Sequence, residues 1–252
     1  LKRMLPLAAT AIYAFLHLPL LVLAVFSVNS SRFTLWEGFS LRWYRAAFED
    51  QQLIEATANS LLIAAVATAA AAVIGTLCAH ALWKKDAPII TMSLSLSLVT
   101  PEIVAGISLL ALFQWIFRFL NIHLGLHTVI LAHVSFCISF VVIVVLARLR
   151  TFDNSLEEAA VDLGATEWQA FCHVTLPNLM PAIVSAALLA FTISFDDYVI
   201  TSMVAGVDSE TLPMVLYAIA RRGANPVVNA ISTIIVLALG AMILASERLK
   251  ES

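Results

Sequence analysis

The chain has 252 residues, 61% of them hydrophobic and 12% charged, with a formal net charge of −3. A water-soluble domain carries about a quarter charged residues, so this composition excludes an ordinary soluble fold, and the small acidic balance gives no footing for a nucleic-acid partner. Cys78, Cys137 and Cys172 are odd in number and widely spaced, and they read as small buried hydrophobes rather than a disulfide or metal framework.

A membrane helix needs about 20 apolar residues, and six runs qualify. They are approximately Leu5–Val28, Ala58–Trp83, Ile89–Phe119, Leu126–Leu149, Leu179–Val204 and Val227–Ala245. The expected class is therefore an all-α integral membrane protein with six transmembrane helices, forming one membrane domain over residues 1–252. The first run is too long for a cleavable leader and lacks a small-residue cleavage site before Asn29, so it is read as a span. The third run is too long for a straight crossing, and Pro101 inside it predicts a kink or break.

Lysine and arginine near the helix ends orient the chain. With both termini cytoplasmic, the inner set is Lys2, Arg3, Lys84, Lys85, Arg148, Arg150, Arg248 and Lys250, and the outer set is Arg32, Arg42, Arg45, Arg118, Arg221 and Arg222. The bias is small, and the short inner turn with Lys84 and Lys85 carries most of it.

The first outer segment, Ser30–Glu55, interleaves Phe33, Trp36, Phe39, Trp43, Tyr44 and Phe48 with Arg32, Arg42 and Arg45. Aromatic rings beside arginines suit the headgroup level of a bilayer. The second span is alanine-rich from Ala64 to Ala72, with Gly75 following, and small residues of this kind let helices approach closely in lipid.

In the third span Glu102 follows Pro101. An ionisable group within a membrane helix marks a pathway or a partner by default, and the proline frees backbone carbonyls that can face a cavity. Counting from Ile89 at the inner side, Glu102 lies about 20 Å up. The structural alternative is a carboxyl kept neutral or hydrogen-bonded to a neighbouring helix. His123 and His127 flank a turn at Gly125 without a carboxylate partner, so no metal site is expected there. His133 is expected to hydrogen-bond across helices, and Arg148 and Arg150 to pair with Asp153 or Glu157.

Between the fourth and fifth spans, residues 150–178 form a cytoplasmic loop. Its central stretch, Leu156–Pro177, reads as a helix–glycine–helix elbow. Ser155 and Glu158 have capping-box spacing, Gly164 can take the left-handed conformation that stops a helix, and Thr166 with Gln169 can cap a second short helix running towards Pro177. Taken alone, this is an amphipathic loop on the membrane surface.

The fifth span carries Thr192-Ile193-Ser194-Phe195-Asp196-Asp197-Tyr198, which puts Asp196 about 25 Å above Leu179. Neighbouring residues on a helix lie about 100° apart, so the two aspartates cannot share a face. The alternative is that the helix ends near Ser194 and both are loop acids. In the last outer segment, Gly206–Asn225, an amphipathic piece lies around Pro213–Ala220.

Glu158-Ala159-Ala160, three residues, Gly164, nine residues and then Val174-x-Leu176-Pro177 resembles the EAA loop of binding-protein-dependent ABC importer permeases. Val174 stands where that family usually has isoleucine. Across the whole chain, NSSRF at Asn29–Phe33, the Trp43–Tyr44 pair, an acid after a proline at Pro101–Glu102, FTxSxDD at Phe191–Asp197 and NPVVNA at Asn225–Ala230 look most like the permeases of polyamine (spermidine/putrescine) importers. The family usually has aspartate where this chain has Glu102.

The resemblance implies a type I ABC importer permease in a bacterial inner membrane. Glu158, Ala159, Ala160, Gly164, Leu176 and Pro177 would then couple to a separate ATPase dimer, which uses ATP and Mg, while this chain binds no cofactor. It also implies a second homologous permease and a periplasmic polyamine-binding protein, with the first outer segment as a possible ledge for the latter. Glu102, Asp196, Asp197, Phe195, Tyr198 and Trp43 become the candidate substrate path, with Phe191 and Trp115 as further aromatic neighbours.

No GxxxxGK[ST] motif occurs, so ATP hydrolysis by this chain is not expected, and no catalytic residues are assigned. Two alternatives stay open: a permease of the same type for another small solute, and a secondary cation transporter using the same membrane carboxylates.

Overall fold

A computed structural model describes residues 4–32, 35–120, 122–223 and 225–251; Lys2, Arg3 and Phe33 lie outside the described residues, as do the side chains of Arg248 and Lys250. Twelve α-helices follow in order among them: α1 (Met4–Ser27), α2 (Arg42–Glu49), α3 (Gln51–Lys84), α4 (Pro88–Val99), α5 (Glu102–Leu120), α6 (Leu126–Leu149), α7 (Ser155–Asp162), α8 (Glu167–Ala170), α9 (Leu176–Asp196), α10 (Val199–Val204), α11 (Leu212–Arg221) and α12 (Pro226–Glu251). A π-helical turn, Phe171–Thr175, joins α8 to α9.

Among the described residues, five helical stretches are long and apolar enough to cross a membrane: Ala8–Ser27, Gln51–Lys84, Glu102–Leu120, Leu126–Leu149 and Glu167–Asp196. The sixth expected run forms α12, whose described apolar part, Pro226–Ala241, is shorter than a full span. The third run breaks in two at Thr100–Pro101, giving α4 and α5. Proline pushes the preceding residue out of the helical region, and Thr100 is accordingly extended at ψ 129°. The fifth run also breaks, after Asp196, so its last turn and a half is the separate α10.

The chain divides into two compact units, Leu1–Thr57 with Met214–Leu249 and Ala58–Pro213 with Lys250–Ser252. In the first, Asn29 organises the turn after α1. Its amide donates to the Leu35 carbonyl at 2.8 Å, and its side-chain oxygen accepts from the backbone of Ser31 and Glu37. The Asn29 carbonyl receives the Trp43 indole N–H at 2.7 Å. The buried indole lies under the Arg42 guanidinium, 4.2 Å from the ring centre, and that guanidinium also donates to the Ser30 carbonyl.

The second unit is built on α3, α6 and α9. Ala71, Ala79, Val141, Val145, Ala186 and Ala190 are fully buried in its principal core. Lipid tails are as apolar as leucine, so helices in a bilayer associate through close packing. At Gly75 of α3 a Cβ would fall 2.7 Å from Val141 Cγ1, so the expected packing role of this stretch has a direct steric basis. A second cluster joins Ile63, Phe113, Val129, Ala132, Ile200 and Val204 from α3, α5, α6 and α10.

Overpacking a close contact costs about 1–3 kcal/mol. Gly75→Val is therefore expected to lower the thermal unfolding midpoint in detergent measurably, whereas Gly240→Val, with open space around the glycine, leaves it in place. Scanning fluorimetry of the two variants checks this, and equal midpoints would contradict the α3–α6 contact.

Candidate functional site

The two helix breaks of the second unit line one cavity of about 640 Å³, together with parts of α4, α5, α6 and α9. Its charged wall groups are Glu102, Asp196 and Asp197, and among the described residues no basic side chain lines it. Backbone at a break loses its helical partners and is tolerated at membrane depth where it lines a cavity or is buried in protein. Glu102 opens α5, where a negative charge complements the helix dipole. Both breaks contribute acids, so sequence positions nearly 100 apart converge on one wall.

The two aspartates do different things. Asp196 is exposed on the cavity side at the end of α9. The side chain of Asp197 is only 7% exposed and turns inward. One of its carboxylate oxygens accepts from the Thr201 backbone at 2.8 Å and the Thr201 hydroxyl at 2.7 Å, and the other accepts from the Ile200 backbone at 3.4 Å. It thus takes up the free N–H groups at the start of α10 as a cap does.

Behind Asp197, the buried His133 of α6 completes the network, its ring 2.7 Å from the Ser194 hydroxyl, 2.9 Å from the Thr201 hydroxyl and 3.6 Å from Asp197. This is the interhelical bonding expected of His133, and it ties α6 to both sides of the α9–α10 break.

Other expected path residues fall elsewhere. Tyr198 lines the cavity. Phe195 is buried, stacked on Phe191 at 6.0 Å between ring centres, and is not part of the cavity wall. Trp43 belongs to the first compact unit, where its indole is locked by Asn29 and Arg42. Trp115 is 66% exposed on α5, edge-on to Phe119.

The elbow has an exposed and a buried side. Glu158, Ala159, Gly164 and Pro177 are exposed, with Leu163 and Trp168 the large apolar groups beside them, while Ala160 and Leu176 are half-buried. Gly164 has φ +95°, and the backbone N–H groups of Gly164 and Ala165 return to the carbonyls of Val161 and Ala160, which makes the expected left-handed stop a Schellman motif. The Thr166–Gln169 capping box is present, the Gln169 backbone donating to the Thr166 hydroxyl and the Thr166 backbone to the Gln169 side chain.

Three expectations are corrected here. Ser155 does not cap α7 with Glu158. Asp153 accepts the Ser155 backbone N–H at 3.0 Å, and Glu158 instead accepts from the Asn154 amide. The Ser155 hydroxyl and backbone together hold the Asp153 carboxyl below the usual carboxylate range. The second elbow helix is not a separate piece, because it runs through the π turn into α9 as one continuous helix. Finally, Glu157 pairs not with Arg148 or Arg150 but with α3: Lys84 Nζ lies 2.7 Å and His80 Nε2 3.8 Å from its Oε1, and the Thr175 hydroxyl donates to Oε2 at 2.7 Å.

Glu157, only 2% exposed, entered the sequence reading solely as a partner for Arg148 or Arg150, with no place among the site residues. The one signal for it was an acid on the inward side of α7 facing a lysine at the end of a span. Burial opposes its charge, but the hydrogen bonds from Lys84 and Thr175 and the positive field of Lys84 and His80 win, and the carboxyl is held below its ordinary value.

The family model described as "Binding-protein-dependent transport system inner membrane component" matches residues 71–250. The putrescine transport system permease protein PotI of Escherichia coli (strain K12) is 43% identical over 235 residues, which is 90% of this chain and 84% of that one. The spermidine/putrescine transport system permease protein PotC of the same strain is 39% identical over 242 residues (94% and 90%), and PotC of Haemophilus influenzae is 40% identical over 239 (93% and 91%). A chain of a bacterial ABC transporter that imports the acidic polysaccharide alginate superposes with TM-score 0.70 at 14% identity, covering 99% of this chain and 96% of that one. In the complex of the alginate transporter with its pentasaccharide-bound periplasmic protein the values are 0.75, 15%, 98% and 93%. At such identities these superpositions speak for the fold alone.

A carboxyl held low in the folded state adds stability at pH values above its unfolded pKa of about 4.3 and loses that contribution as pH falls through the folded value. Glu157→Gln is therefore expected to cost about 1–3 kcal/mol, the cost of breaking a buried pair discounted because Lys84 is partly exposed. The gap to wild type is widened where the facing His80 takes up a proton, at mildly acidic pH, and should close below about pH 4 as Glu157 is neutralised. Thermal unfolding of both proteins across pH checks this, and a gap that persists well below pH 4 would contradict the assignment.

Proposed function

The chain belongs to the binding-protein-dependent transport system inner membrane component family, and on that premise we propose that it is the permease subunit of an ATP-driven importer that carries polyamines inward. It is a multi-pass membrane protein. The reading places it in a bacterial inner membrane as one permease domain with both termini cytoplasmic, α12 as the sixth crossing and residues 150–178 as the coupling loop. It also gives the chain a second related permease, an ATPase pair and a periplasmic binding protein as partners. ATP and Mg belong to the ATPase pair.

The observation that carries the substrate class is the cavity whose charged wall groups are all carboxylates. Such a wall favours cations and repels anions, and a polyamine is a flexible chain of ammonium groups separated by methylenes. Glu102 and Asp196 supply the charges, Tyr198 can add a cation–π contact of about 0.5–2 kcal/mol, and apolar groups such as Leu109 and Phe136 face the methylenes. Asp197 is engaged by Thr201 and His133 and holds the break that presents its neighbour. Weak, distributed contacts suit a site that must release its cargo.

The drive comes from the elbow. Its exposed face, with Glu158, Ala159 and Gly164, offers small residues for close approach and a carboxylate for basic groups on the ATPase. Closure of the ATPase pair on ATP displaces this face. The helical stretch that begins at Glu167 runs through the π turn and past Pro181 to Asp196, so the displacement has one helical element to follow to the cavity wall.

In the reconstituted importer with polyamine-loaded binding protein, Asp196→Asn and Glu102→Gln are each expected to cut transport about tenfold or more while the ATPase stays bound. Glu158→Ala is expected to uncouple hydrolysis from transport. Normal polyamine transport by both amide variants would make the carboxylates structural, whereas wild-type transport of a different solute and not of polyamines in a substrate panel would point to the second reading, a permease for another small solute.

A further inference from the structure

Three separate elements meet on one carboxylate beneath the elbow. Glu157 sits in the first turn of α7, one residue before the exposed Glu158, and its side chain points the opposite way, into the protein. Oε1 accepts from Lys84, at the end of α3. Oε2 accepts from the fully buried Thr175, the last residue of the π turn at the foot of α9. His80 lies about 6 Å back along α3, one turn from Lys84. It faces the same carboxylate at 3.8 Å and packs on Phe171 of the π turn at 4.5 Å between ring centres.

A π turn inserts an extra residue and so resets which side chains face inward after it. Here that offset accompanies a Thr175 hydroxyl turned towards Glu157 rather than solvent. The exposed face of the elbow and the two helices that carry the cavity unit are thus connected through one buried side chain.

We infer that Glu157 is the joint of the transport cycle, a positioning residue whose carboxylate delivers displacement of the elbow into α3 and α9 together. This rests on the reading of the elbow as the ATPase-docking element. The consequences for the two helices differ. α3 is packed face to face on α6 through Gly75 and Val141, so the Lys84 bond ties the elbow to the scaffold of the unit. α9 spans 21 residues, about 30 Å, and ends at Asp196 on the cavity wall, so the Thr175 bond ties the same elbow to the wall. Without the carboxylate the elbow could still dock, but its motion would be taken up by the loop at Asp153–Asn154 and at Leu163–Ala165 instead of reaching the wall.

The test uses the complete importer reconstituted in proteoliposomes, measuring ATPase retention, binding-protein-stimulated hydrolysis and substrate moved per ATP. Glu157→Gln is expected to retain the ATPase and its hydrolysis but to move about tenfold less substrate per ATP. The exchange Lys84→Glu with Glu157→Lys, which restores an ion pair of reversed polarity, is expected to recover transport per ATP to within about threefold of wild type. A merely structural role would lower protein yield and all three readouts together, with no rescue of the ratio.

Wild-type transport per ATP in Glu157→Gln overturns the joint, as does loss of the ATPase from that variant, which would put the side chain at the docking surface. Should Glu157→Gln fail to accumulate, Thr175→Val, which leaves the ion pair intact, is expected to lower transport per ATP about threefold, and an unchanged ratio there overturns the proposal. Glu158→Ala separates the premise from the inference. Full retention and coupling in that variant would remove the docking reading and the joint with it. Uncoupling by Glu158→Ala beside a normal Glu157→Gln removes the joint alone.

Discussion

Backbone groups in hydrocarbon have no water to bond, and each one left unpaired costs several kcal/mol. Every interruption of a helix at membrane depth must therefore be repaired by protein groups, and the second compact unit is organised around two such repairs. At Thr100–Pro101 the proline brings no N–H to satisfy, and the Thr100 backbone and hydroxyl both return to the Leu96 carbonyl. At Asp197–Tyr198 the Asp197 carboxylate takes the free N–H groups of α10, and His133 holds that carboxylate and two hydroxyls from across the interface. The acid-bearing cavity lies where the two repaired breaks meet.

The same economy governs charge. Of the three wall acids, the one without room to be solvated, Asp197, is matched by a histidine, a threonine and a helix start, while Asp196 and Glu102 keep exposed carboxylates. Below the elbow, Glu157 is matched by Lys84 and Thr175 in the same manner. Adjacent acids in sequence thus divide into an inward group that fixes geometry and an exposed one: Asp197 with Asp196, and Glu157 with Glu158. For Glu157 and Glu158 this follows from the angle of about 100° between consecutive helical residues; for the aspartates it follows from the helix ending at Asp196, with Asp197 itself extended.

Much of this was legible in the chain. Run length and composition gave the membrane class, Pro101 the break, Gly164 and Thr166 the elbow's stop and restart, and the Glu158–Pro177 spacing the family. What escaped was of a different kind. Ser155 looked like a cap because its hydroxyl has the right spacing to Glu158, but Asp153 and Asn154, two and one residues earlier, compete for the same partners and win. Glu157 looked like any acid in a first helical turn. Phe195 and Trp43 were expected on the path; Phe195 is buried and stacked on Phe191 one helical turn earlier, and Trp43 is held by Asn29 and Arg42.

The sequence by itself determined which segments are helical and apolar, the break at Pro101 and the stop and restart of the loop at Gly164 and Thr166, because these depend on hydrophobic length, proline and glycine stereochemistry and capping within a few residues. Only the tertiary structure decided that Asp196 stays exposed on the cavity wall while the Asp197 side chain turns inward, that Glu102 shares that wall, and that Lys84 rather than Arg148 or Arg150 neutralises Glu157. Those outcomes depend on the rotation and depth of one helix against another. In lipid these are fixed by small-residue contacts such as Gly75 on Val141, and a contact between residues 66 positions apart leaves no trace in local pattern.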